Sequence, residues 1–249
     1  MKKVVLFMFD LGMGGAEKVM VNLANYLNQN NFKVHILTVS SIINRLENVI
    51  DDGVEIESLN ASRILFSLQR LFTYLKKNPL DIFVANVWPL TSLAVFCSLF
   101  QKGLSKKLIL VEHAHLGREH AHRGFIFRLL NKISIRLLYP LSKRVIAVSQ
   151  GVKDDLVSNK SLKDCLVNVI ENPVDCQYSP AQHDDVSIIN WLNSKDAKLI
   201  SVGNFKAQKN YSYLIQILNI LKQKGFQFKH LIVGDGLEMR KIERQIIQN

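Results

Sequence analysis

The feature that most constrains this chain is a recurring alternation: short apolar runs rich in β-branched residues, each followed by a turn and then a stretch of helical spacing. Lys3–Phe9, Val34–Val39, Val54–Leu59, Asp81–Asn86, Lys107–Val111, Arg144–Val148 and Val167–Ile170 read as strands. Ala16–Leu27, Ile64–Lys77, Leu90–Phe100 and Gly124–Leu138 read as helices between them. Continuous apolar strands cannot leave a face in water, so the pattern predicts a parallel sheet covered by helices on both sides. Ligands of such sheets bind beyond the carboxyl ends of the strands. Gly14-Gly15 and His113 both fall there.

The pattern breaks once. After Asn172-Pro173-Val174-Asp175 comes a polar stretch, Ser179–Ser187, with Pro180 inside it. Proline and turn formers without periodicity mark a boundary. Beyond it the alternation restarts with Lys198–Val202, Tyr211–Lys224, Lys229–Val233 and a helix from Leu237. Two α/β domains are expected, 1–178 and 179–249.

Each domain offers a glycine turn between a strand and a helix. In the first, Lys3–Phe9 ends in Asp10-Leu11-Gly12-Met13-Gly14-Gly15. Glycines allow close backbone approach, and the helix start behind them favours negative charge. The spacing is not Gly-x-Gly-x-x-Gly, so a dinucleotide site is not indicated. In the second, Leu199–Val202 runs into Gly203-Asn204-Phe205-Lys206-Ala207-Gln208-Lys209-Asn210. That turn reads either as a seat for an anion or as an ordinary turn with solvated lysines.

Net charge is +11, and it is concentrated: residues 101–144 hold ten Lys or Arg against Glu112 and Glu119. A local anionic partner is implied. Within this segment, Gly124–Leu138 places Phe125, Phe127, Leu129 and Leu130 among Arg128, Lys132 and Arg136. Such a helix can lie on an anionic bilayer, or pack one face on the sheet with its cations in water. No nucleic-acid recognition motif accompanies the charge. His113, His115, His120 and His122 are close in sequence, but without Cys or Asp among them no metal is expected. Cys97, Cys165 and Cys176 are odd in number and far apart, which does not suggest a disulfide framework. With no secretory leader and no run of 18 apolar residues, a cytoplasmic protein is expected, peripheral on the inner face of the membrane if residues 118–144 dock there.

Gly14-Gly15-Ala16-Glu17, Val148-Ser149 with Val152-Lys153-Asp154-Asp155-Leu156, Asn172-Pro173-Val174-Asp175, Ser201–Asn210 and Gly234-Asp235-Gly236 occur in an order that resembles retaining glycosyltransferases of family 4. The resemblance implies a GT-B fold: a complete N-terminal Rossmann-like domain and a partial C-terminal one. It implies transfer of a hexosyl or N-acetylhexosaminyl group from a nucleotide-sugar to a glycan or lipid-linked acceptor in cell-surface polysaccharide synthesis, with retention and without a cofactor or metal. By the same resemblance His113 is placed near the transferred sugar as the catalytic candidate. Gly14, Gly15, Gly203, Asn204, Lys206 and Lys209 are the donor-binding candidates, with Lys209 on the phosphates.

Two departures stand out. Asn204 occupies a position where the family commonly has Arg, leaving Lys206 to compensate. The family's pair of glutamates separated by seven residues would lie beyond Asn249, and 179–249 is shorter than the roughly 100–150 residues of a complete domain. The expectation is therefore a truncated enzyme. Its alternative is an inactive fragment serving at most as a non-catalytic acceptor- or membrane-binding domain.

Overall fold

The computed structural model describes residues 1–41, 45–61, 64–115, 124–159, 162–174 and 186–248. Residues 179–185 of the expected boundary stretch Ser179–Ser187, together with Arg118, His120, His122, Arg123 and Cys176, lie outside them, while Val186 and Ser187 open a helix. The chain divides into two compact units, Met1–Val174 and Asp175–Asn249.

The first unit is built on a seven-stranded sheet in the order β3-β2-β1-β4-β5-β6-β7. Its strands are β1 (Lys3–Met8), β2 (Lys33–Thr38), β3 (Glu55–Ser58), β4 (Ile82–Asn86), β5 (Leu108–Glu112), β6 (Arg144–Ala147) and β7 (Val167–Val169), and every pairing is parallel. The helices are α1 (Gly15–Gln29), α2 (Ile64–Lys77), α3 (Leu90–Ser98), α4 (Phe125–Leu138) and α5 (Gln150–Asp154). Side chains alternate across the sheet, which divides the core in two. Val5, Phe7, Phe83, Ala85, Leu108 and Leu110 face one way, onto α2, α3 and α4. Val4, Leu6, Met8, Val84 and Val111 face the other way, onto Met20, Val21 and Ala24 of α1. Burial of each such side chain stabilises the fold by about 1.5–3 kcal/mol, which explains why the interiors of the central strands β1, β4 and β5 are wholly apolar. The edge strand β3 is instead exposed and charged, with Glu55 bridged to Lys33 at 2.9 Å, a composition that discourages further strand pairing.

Ser149 caps α5 as its sequence position suggests, accepting a hydrogen bond from Val152 N–H at 3.3 Å. The helix then widens into a π-helical turn over Asp155–Asn159.

The second unit forms its own parallel pair, β8 (Ala197–Val202) with β9 (Phe228–Val233). The helices α6 (Val186–Leu192), α7 (Tyr211–Gln223) and α8 (Met239–Gln248) accompany it. Its core is small: Phe205, Tyr211, Ile215 and Ile242. Ile200 of β8 remains 57% exposed and Val202 73%. Two strands cannot bury both faces of a sheet, so the turns after them carry much of the local order.

Those turns touch. Phe205 N–H donates to Asp235 O at 2.8 Å, and Glu238 N–H donates to Phe205 O at 3.1 Å. A side chain at Gly234 would overlap the carbonyl oxygen of Gly203, and a Cβ at Gly236 would lie 2.6 Å from Phe205 O. Backbone gives way less readily than side chains, so Gly234→Ala should destabilise the second unit by about 1–3 kcal/mol. Urea unfolding followed by Trp191 in α6 and by Trp88 in the first unit checks this. The Trp191 transition moves to lower urea while the Trp88 transition stays, and an unmoved Trp191 transition would contradict the contact.

Candidate functional site

In the first unit the strand order reverses between β1 and β4, because β1 leads outward to β2 and β4 leads the other way to β5. A reversal of this kind opens a crevice at the carboxyl ends. The residues after β1 and β4 line it. After β1, Asp10 Oδ1 accepts a hydrogen bond from Gly12 N–H at 2.8 Å, which tightens the glycine turn. Gly14 precedes α1 and offers no side-chain cap, and its carbonyl accepts from Lys18 N–H at 3.0 Å. A Cβ at Gly14 would overlap the Glu17 carboxylate, whereas one at Gly15 would meet nothing. The positive end of α1 therefore already faces a carboxylate. After β4, Val87 takes the left-handed conformation at φ 62°, and its N–H donates to Val111 O at 2.9 Å. A β-branched residue held there stores strain, a feature that concentrates at functional sites.

His113 follows β5 directly. Its two ring nitrogens are buried, and neither has a hydrogen-bond partner among the described residues. Burial pushes its pKa down to about 4, so near neutrality the ring is uncharged, with one nitrogen to donate and one to accept. Two residues on, His115 Nδ1 lies 3.4 Å from Oδ1 of the buried Asp155, within ion-pair distance but not aligned as a hydrogen bond. Asn86, the last residue of β4, is buried with its Oδ1 unpartnered among the described residues.

The residue before His113 points into the core beside α3. Glu112 is fully buried and accepts hydrogen bonds from Trp88 N–H (3.3 Å), Thr91 Oγ1 (2.9 Å) and Tyr139 Oη. The Thr91 and Tyr139 hydroxyls are 2.6 Å apart. Burial, then the neighbouring Glu112, raises the Tyr139 pKa well above its ordinary value, so Tyr139 remains a phenol donor. The Trp88 ring donates from Nε1 to Ser134 Oγ at 3.0 Å and packs edge-on against Phe127 at 5.1 Å. This network fixes the loop after β4, and α4, around the end of β5. In the sequence Glu112 stands out only as one of two acids in the basic segment 101–144. The signal was present as an acid closing the apolar run Leu108-Ile109-Leu110-Val111.

In the second unit, Gly203 N–H donates to Val233 O at 2.9 Å, and Gly203 O accepts from Tyr211 Oη at 3.3 Å. The Lys209 side chain folds across Gly203, its Cε 3.7 Å from where a Cβ would stand. Asn204 and Lys206 are exposed, with Phe205 between them buried against Tyr211. Asn210, in the left-handed conformation at φ 51°, starts α7 without a side-chain cap. The turn thus assembles a lysine, a bare glycine and an uncapped helix start within one unit. Asn204 and Lys206 project from the same turn. Among the described residues, no group of three His, Cys, Asp or Glu is placed to hold a metal ion.

The model of Glycosyltransferase Family 4 matches residues 13–178, two thirds of the chain. The chain belongs to glycosyltransferase family 4. This family 4 chain is 26% identical over 235 residues to the amylovoran biosynthesis glycosyltransferase AmsD of Erwinia amylovora, covering 94% of the chain and 62% of that protein. It is 26% identical over 243 residues to a Campylobacter jejuni enzyme named as an N-acetylgalactosaminyltransferase acting on a diphospho-undecaprenol-linked saccharide, covering 95% of the chain and 64% of the relative. Among solved structures it resembles Anabaena HepE in complex with UDP and glucose, with a TM-score of 0.70 and 19% identity over 100% of this chain and 66% of that one. At that identity the likeness shows the fold, the α/β architecture of GT-B glycosyltransferases. The family 4 chain spans a little under two thirds of the length of these curated relatives.

The buried state of His113 has a titration consequence. Its folded pKa, about 4, lies below the ordinary 6.5, so the unfolded chain takes up the proton first. The stability associated with neutral His113 is full above about pH 6.5 and is lost as pH falls from there towards 4. NMR titration of the ring should give a midpoint near 4, and His113→Gln should flatten the pH dependence of stability across that window. A midpoint near 6.5 would contradict the burial.

Proposed function

We propose that this family 4 protein transfers a hexosyl or N-acetylhexosaminyl group from a nucleotide-sugar to a glycan or lipid-linked acceptor, with retention of configuration, in cell-surface polysaccharide synthesis. The observation that carries the reading is Lys209 folded across Gly203 at the uncapped start of α7. Departure of a nucleoside diphosphate builds negative charge on its oxygens. A positioned ammonium and backbone N–H groups stabilise that charge as it develops. Lys206 adds a second cation from the same turn, and Asn204 offers amide hydrogen bonds in place of a charge.

The candidates in the first unit offer hydrogen bonds and close backbone approach. His113, uncharged and unpartnered among the described residues, is suited to exchange hydrogen bonds with sugar hydroxyls. Gly14 and Gly15 let the backbone approach the sugar closely, while the Glu17 carboxylate beside Gly14 disfavours a phosphate there. The donor is a substrate, and the chemistry uses no metal or cofactor. The named activities of the Erwinia and Campylobacter relatives support a bacterial surface glycan or a polyprenyl-diphosphate-linked saccharide as acceptor.

The test is incubation with radiolabelled nucleotide-sugars and an undecaprenyl-diphosphate-linked saccharide, with the product's anomeric configuration read by NMR. Transfer with retention is expected, and Lys209→Ala should lower it by about 100- to 1,000-fold, the size of effect seen on removing one charge-stabilising donor. Undiminished turnover in Lys209→Ala, or an inverted product, would overturn the reading. Acceptor binding without donor consumption would identify a non-catalytic module instead.

A further inference from the structure

Two adjacent acids after β6 are treated differently by the fold. Asp154 is exposed and accepts a hydrogen bond from the Gln150 side chain at 2.8 Å. The Asp155 side chain is 1% exposed, beside Val152 and Leu156 of the core. Withdrawing a carboxylate from water is costly, and a fold retains one where partners hold it. Asp155 also opens the π-helical turn Asp155–Asn159, a helical irregularity that recurs at functional sites.

One partner is His115, three residues past the end of β5. Its Nδ1 is buried and lies 3.4 Å from Asp155 Oδ1, while the side chain as a whole is 33% exposed. A ring whose Nδ1 edge is turned into the protein presents its Nε2 edge outward. Pairs of this kind are often loose without substrate and tighten when it binds. A carboxylate beside Nδ1 keeps a proton on that nitrogen and leaves the Nε2 lone pair to accept. Such a nitrogen, backed by a carboxylate, repels a phosphate and suits a hydroxyl, which donates.

Strand order narrows the choice of hydroxyl. β5 lies between β4 and β6, and Asp155 belongs to the stretch after β6. His115 therefore leans towards β6, away from the crevice between β1 and β4, whereas His113 stands at the strand end itself. A group held by His115 lies beyond the one that His113 meets, on the acceptor's side of the bond being made.

We propose that His115 Nε2 accepts a hydrogen bond from a hydroxyl of the acceptor saccharide, and that Asp155 is a positioning residue holding the ring in the tautomer with its proton on Nδ1. The acceptor contact rests on the glycosyltransferase reading above, and the His115–Asp155 pair does not.

Nitrogen-15 NMR of the full chain with labelled imidazoles, recorded above the titration of the ring, reads the tautomer directly. His115 should carry its proton on Nδ1, the minority form of a free imidazole. Asp155→Asn, which keeps the shape and loses the charge, should move it towards Nε2. With an undecaprenyl-diphosphate-linked saccharide, His115→Phe and Asp155→Asn should each raise the acceptor KM about three- to tenfold, the loss expected for one hydrogen bond. The donor KM should stay, and His115→Gln, whose carbonyl accepts, should recover part of the loss. The same saccharide added without any nucleotide-sugar should shift the His115 Nε2 resonance, and that shift without turnover would support the contact even where sugar transfer fails. Thermal melting monitors folding, and the tautomer of the unaltered protein with the His115 variants decides if Asp155→Asn does not fold. A proton on Nε2 in the unaltered protein, an unmoved tautomer in folded Asp155→Asn, an unchanged acceptor KM in His115→Phe, a raised donor KM in its place, or a His115 ring indifferent to the saccharide would each overturn the proposal.

Discussion

A carboxyl group with no exposure to solvent sits at the end of β5, and the ends of the neighbouring elements are arranged around it. Desolvating a carboxylate costs several kcal/mol, while each hydrogen bond to it returns about 1.5–3 kcal/mol. The N–H of Trp88, the hydroxyl of Thr91 and the phenol of Tyr139 together roughly offset that cost. The network around Glu112 therefore adds little net stability. Its effect is positional, since its donors come from two places in the chain, Trp88 with Thr91 and Tyr139, and satisfy it only in one arrangement. The left-handed Val87, Trp88 with its ring against Phe127 of α4, and the entry of the chain into His113 all adjoin it.

The two glycine turns differ in electrostatics despite a similar sequence pattern. At the start of α1 the Glu17 carboxylate lies against Gly14, so the positive end of the helix dipole is already met by a negative charge. At the start of α7 no side chain caps the helix, and the Lys209 side chain lies across Gly203. Of the two turns, the one around Gly203 is the better suited electrostatically to an anion.

Much of this was legible in the residues. Apolar runs located the nine strands of the described residues to within about two residues, and for the central strands of the first sheet the reason is that a fully buried parallel strand tolerates little else. The helix Ile64–Lys77 coincides with its periodic stretch, and the Ser149 cap is where its hydroxyl indicated. The Glu112 network was not legible, since Thr91 and Tyr139 are separated from it by 21 and 27 residues and meet it only through the sheet. Nor was the role of Glu17, which the sequence shows as one more acid in a first helical turn. The aliphatic side chains of α4 could be seen in composition, but only exposure separates those facing outward, such as Leu130, from those facing the core.

The account stands or falls on where a nucleoside diphosphate binds. Amide NMR of the isotopically labelled protein titrated with UDP measures this directly. Shifts should concentrate at Gly203, Asn204, Lys206 and the first turn of α7, and Lys209→Ala should abolish them. Shifts centred instead on Gly14–Glu17, with Gly203 and its neighbours unmoved, would contradict the assignment of the phosphates to the Lys209 turn.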